Sequence, residues 1–128
     1  MVLWVVKCFL SEHGRDVIDE WYRALSASAQ RKFDTILEHL RDTPHTQWST
    51  HLVYPLADSD GIFEIRFKIR NVLYRPLGFF GPDRGEFTLL VPAREQGNDF
   101  VPRNAKTLAE ERKNIVLNDR GRAHECGF

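Results

Sequence analysis

The chain reads as an α+β domain: a strand, two helices, three strands and a closing helix. Three observations predict this order. Residues 2–10 form a short run rich in Val and aromatic side chains, as strands are. Residues 15–41 carry apolar side chains at helical spacing, and residues 61–70 alternate apolar and polar side chains with period two. The expected architecture is an antiparallel sheet of about four strands, packed against an N-terminal helical hairpin, with a C-terminal helix.

Each element has its own signal. Val17, Trp21 and Leu25 recur four residues apart, with Ile18 beside them, predicting a helix from about residue 15 to 25. Residues 26–28 make a break and an N-cap, and a second helix with Phe33, Ile36, Leu37 and Leu40 on one face runs to Arg41. Asp42, Thr43 and Pro44 stop it. Residues 45–60 lack periodicity and read as a long irregular segment holding Trp48, His51 and Tyr54. Strands follow near 62–70, 72–80 and 86–93, with turns at Arg70-Asn71 and at residues 81–85. Pro76 cannot donate to a ladder, so a bulge is expected there. Pro102 can open the last helix, which carries Ala105, Leu108, Ala109, Arg112 and Ile115 along one side. The domain is expected to span residues 1–117, with residues 118–128 a disordered tail.

Composition narrows the function. The chain has 128 residues, 42% of them hydrophobic, and a formal net charge of zero, which suits one compact domain and argues against a generic nucleic-acid binder. The halves differ: residues 1–60 hold six Lys/Arg against nine Asp/Glu, and residues 61–128 hold twelve against nine. Any anion-binding surface is therefore expected in the second half. The apolar start is broken by Lys7 and lacks the layout of a signal peptide or a membrane span. Cys8 and Cys126 lie at opposite ends of the chain, so no structural disulfide is expected and a cytoplasmic location fits. No Cys/His pair has metal-ligand spacing, and neither a metal nor another cofactor is expected.

The most informative stretch is GIFEIRFKIRNVLYRPLGFF, residues 61–80. Phe63, Ile65, Phe67 and Ile69 share one strand face, and Glu64, Arg66, Lys68 and Arg70 the other. No acid follows between Arg66 and Gly81, so this face can hold a polyanion, although a solvated strand face has the same composition.

GIFEIR, LYRPLGFF, the strand ending in Arg94 and the helix TLAEERK, taken in that order, resemble the RelE/ParE toxin superfamily, and within it the HigB-like branch. The match covers roughly residues 56–116, through Gly61, Phe63, Glu64 and Arg66, then Tyr74 and Arg75, then Arg94, and finally Pro102, Ala109 and Arg112. The resemblance implies a RelE-like fold and the toxin of a type II toxin–antitoxin pair. Such a toxin is a metal-independent, ribosome-dependent endoribonuclease that cuts mRNA and inhibits translation. Its implied partners are the ribosome, mRNA and a small antitoxin, often with a helix-turn-helix domain, and no membrane.

Metal-free RNA cleavage uses the 2′-hydroxyl as nucleophile and needs a base, an acid and cations on the phosphorane. Arginine suits the last role because its planar fork pairs with two phosphate oxygens. Arg66 and Arg75 match the family arginines, with Arg94 as a third catalytic candidate. Lys68, Arg70, Arg103 and Lys106 are candidates for binding flanking RNA. Glu64 is expected to orient an arginine, and Arg75 to lack a local acid partner. The sequence names no general base; His51, Tyr54 and Lys106 are the available groups. Two other readings follow from the same residues: a ParE-like inhibitor of a protein target, or a degenerate member acting only in antitoxin binding and regulation.

Overall fold

The computed structural model describes residues 3–48 and 52–128. The fold is α+β, and its strands form two sheets rather than one of four strands. The larger is six-stranded: β1 (Val5–Phe9), β2 (Val53–Pro55), β3 (Phe63–Ile65), β6 (Leu77–Phe80), β7 (Glu86–Val91) and β10 (Ala123–Glu125), in the spatial order β10-β1-β7-β6-β3-β2. The smaller is formed by β4 (Phe67–Ile69), β5 (Val72–Tyr74), β8 (Arg94–Gln96) and β9 (Asp99–Val101), ordered β4-β5-β8-β9. The larger sheet is mixed, because β1 runs parallel to β7.

Both expected helices of the N-terminal hairpin form. Asp16 caps α1 (Val17–Ala24) by accepting from the Asp19 amide, and Ser26 caps α2 (Ala27–Arg41) by accepting from the Ala29 amide. They cover one face of the larger sheet. Phe33, Leu37 and Leu40 pack there with Val6, Cys8, Ile65, Phe67 and Leu89. Helix α3 (Ala105–Asn118) covers the opposite face, where Ala105, Ala109 and Val116 meet Phe9, Leu77, Phe79 and Leu90. Alternation along each strand feeds both cores, so Phe79 enters the second and Phe80 packs on the first. Pro102 does not open α3; it precedes the helix, accepting from the Ala105 amide, and Asn104 stands at the N-cap.

The two long strands of the basic stretch are each broken once. The first divides at Arg66 into β3 and β4, and the second at Arg75-Pro76 into β5 and β6. A register shift at Leu77/Gly78 follows the proline, whose carbonyl accepts from the Ile65 amide. Gly78 permits the crossing of β6 and β7: a Cβ there would lie 2.5 Å from the Thr88 carbonyl oxygen and 2.6 Å from the Phe87 ring. The segment expected to be irregular contributes β2 to the sheet edge, so Tyr54 is a strand residue.

The C-terminal residues are ordered, contrary to the sequence expectation. β10 pairs antiparallel with β1, Cys126 bonds covalently to Cys8, and the Cα atoms of the two lie 5.2 Å apart. Phe128 stacks on Tyr22 with ring centroids 4.1 Å apart, and its carbonyl accepts from Arg41. His124 pairs with the α1 cap Asp16. The tail thus completes the first core, and the paired cysteines, expected to be free, give no sign of a reducing cytoplasm. Among the described residues, no helix is long and apolar enough to cross a membrane.

Two outcomes follow. The disulfide closes a loop of 118 residues. Cys126→Ser should therefore lower the unfolding free energy by about 2–5 kcal/mol in urea titrations under oxidising conditions. Tyr22 is pushed up to about 12, first by burial and then by donating to Asp34. Because the folded state keeps a proton that the unfolded chain releases nearer pH 10, this contribution is full below that pH and is lost as pH rises toward 12. Ultraviolet titration should show one tyrosine ionising near pH 12, and Tyr22→Phe should remove that phase.

Candidate functional site

The breaks at Arg66 and Arg75-Pro76 bring the predicted residues to the junction of the two sheets. Glu64, on β3, is only 4% exposed, and a buried carboxylate is costly unless its oxygens are paired. Arg75 meets that need. Its Nε donates to Glu64 Oε2 at 2.8 Å, and its Nη2 lies 2.7 Å from the same oxygen. Nη1 donates to Glu95 Oε1 on β8 at 3.0 Å, and the guanidinium carbon sits 4.0 Å from the Phe100 ring centroid on β9. Arg75 has no acid among its sequence neighbours; its partners Glu64 and Glu95 reach it from other strands.

Arg66 is held more loosely. Its Nε is 3.5 Å from Glu64 Oε1, its guanidinium lies 5.1 Å from the Tyr54 ring centroid, and its side chain is 37% exposed. Tyr54 stands opposite Glu64 in the β2–β3 register, which explains the contact. Glu64 therefore orients two arginines, one bound at both guanidinium ends and one free to turn toward solvent. The salt bridge of Arg66 comes from its own strand region rather than from the first helices.

The remaining candidates divide by strand register. Lys68 shares the Arg66 face by alternation and is exposed. Arg70 sits in the β4–β5 turn with a φ of 55°. Arg94 pairs in register with Tyr74, and Tyr74 with Phe67. Side chains in register share a face, so Arg94 lies on the other side of the small sheet from Arg75 and Glu95. Arg103 is exposed beyond β9, and Lys106 donates to the Asp58 carbonyl at 3.1 Å, which ties α3 to the loop between β2 and β3. His51 lies outside the described residues.

Arg112 stands out in the sequence as a helix-face residue and as part of the family resemblance, without an assigned role. It donates to the Leu90 carbonyl at 2.8 Å and lies 5.0 Å from the Phe9 ring centroid. Burial holds its pKa below the usual arginine value, against a smaller opposing effect of Glu111. It fastens α3 to the sheet.

The site is thus an open face with Arg66, Lys68 and Arg75 as cations, Glu64 and Glu95 as carboxylates, and the rings of Tyr54 and Phe100 beside the guanidiniums. Comparison with family models, with curated proteins and with solved structures yields no match.

The unequal pairing gives a test. Arg75→Met leaves Glu64 buried without its main partner and should cost about 3–5 kcal/mol in chemical denaturation. Arg66→Met removes a half-exposed pair and should cost under about 1 kcal/mol.

Proposed function

We propose that this chain is a RelE-like toxin that cleaves mRNA in the ribosomal decoding site, with the open face at the sheet junction as its RNA site. The observation that carries the reading is the convergence of Arg66, Arg75 and Tyr54 around the buried Glu64. The order of a strand, two helices, a strand-rich core and a late helix, followed here by β10, supports it as well.

In this reading the residues take unequal roles. Arg66 has the exposure and freedom to meet a phosphate, and stabilises the phosphorane as the 2′-hydroxyl attacks the adjacent phosphorus. Arg75 is held by Glu64 and Glu95 and fixes the geometry, with unused N–H groups available at the rim. As the O2′–P bond forms and the P–O5′ bond breaks, the 2′-hydroxyl proton passes to solvent water, and the Tyr54 hydroxyl, which can donate and accept, hands a proton to the departing 5′-oxygen. Glu64 keeps both arginines in place. Lys68 holds the flanking backbone, and ribosome binding supplies the affinity that a neutral protein lacks.

A second reading is a non-enzymatic inhibitor of a protein target. The neutralisation of Arg75 by two carboxylates favours it, since the pairing lowers the positive charge of this face. Mapping of mRNA 5′ ends after induced expression separates the two. Cleavage predicts new 5′ ends in translated regions, and inhibition of a protein target predicts growth arrest without them. Arg66→Ala should reduce cleavage about 10²–10³-fold and relieve the arrest while leaving the fold intact by circular dichroism.

A further inference from the structure

A separate pocket lies on the other side of β3. Phe63 alternates away from Glu64 and, with Trp4, His45, Trp48, Val53 and Phe80, lines a cavity of about 400 Å³. Five of these six side chains are aromatic rings. They meet at steep angles: Trp4 and Trp48 at 62° with centroids 5.4 Å apart, Trp4 and Phe80 at 62° and 5.4 Å, and Phe63 and Phe80 at 80° and 4.9 Å. Ring surface of more than one orientation therefore borders a single small volume.

The polar inventory of this wall selects the ligand. The Trp48 indole N–H is already given to the Leu40 and Thr43 carbonyls, at 3.2 and 2.9 Å. Among the described lining residues the uncommitted polar groups are the His45 imidazole and the Trp4 indole N–H, and none is a lysine or arginine. A primary ammonium entering here would give up N–H hydrogen bonds to water with few acceptors to replace them. A quaternary ammonium has no N–H to satisfy, and its positive charge is attracted to the negative ring faces, most strongly to tryptophan. A purely aliphatic ligand would gain nothing from rings over aliphatic walls, yet Val53 is the only aliphatic side chain among the described lining residues.

We propose that this pocket binds an organic cation of the quaternary ammonium class. The site is independent of the RNA-cleavage reading, because its lining belongs to the first core and not to the sheet junction.

Tryptophan fluorescence tests it directly. The chain has three tryptophans, and Trp21 packs elsewhere, against Phe33 and Tyr74. In a Trp21→Phe background, Trp4 and Trp48 are the only reporters. Titration with choline should change their emission saturably. Choline should bind about tenfold more tightly than its neutral isostere 3,3-dimethylbutan-1-ol. Adding Trp4→Leu should abolish the choline response; if circular dichroism shows that variant unfolded, Phe63→Leu carries the same expectation. Equal affinity for the neutral alcohol, no saturable choline response, or a response retained in the folded lining variant would each overturn the proposal.

Discussion

The buried carboxylate of Glu64 is the constraint on which the arrangement around the sheet junction depends. A carboxylate at 4% exposure has to be met by cations and donors, and Arg75 supplies them from the point where the second long strand leaves one sheet for the other. The same guanidinium reaches Glu95, so a single side chain joins β3 of the larger sheet to β8 of the smaller. Pro76 then makes the break obligatory, since it has no N–H for a ladder. Bend, ion pairs and the open face are consequences of one another.

Much of the core was legible because period two and period 3.6 are local signals. Phe63, Ile65, Phe67 and Ile69 do share one core, and Ser26 caps α2 as its sequence suggests. What was misread came from distant partners. The run from Arg66 onward looks purely cationic in sequence, but Glu64 and Glu95 lie 11 and 20 residues from Arg75 and close on it in space. The parallel pairing of β1 with β7 and the bond from Cys8 to Cys126 are likewise contacts between distant segments, which no window of sequence contains. β10 has three residues and no apolar alternation, so it had no signature to find.

Alternation also divides the chemistry of the molecule. Along β3, Phe63 serves the aromatic pocket and Glu64 the ionic junction, so adjacent residues equip opposite sides of the sheet. Along β5 the same rule places Tyr74 in the first core and leaves Arg75 with the carboxylates. It removes Arg94 from the arginine pair, although in sequence it looked like a third member. A candidate site drawn from charge alone would have joined residues that the pleat keeps apart.

The central claim is that Glu64 and Arg75 act as one buried unit that shapes the junction. A double-mutant cycle on Glu64→Ala and Arg75→Ala, followed by chemical denaturation, measures that directly. The account predicts a coupling of about 2–3 kcal/mol, the double variant losing far less than the sum of the singles. Additivity within about 0.5 kcal/mol would mean that the pair is not coupled and would contradict the account.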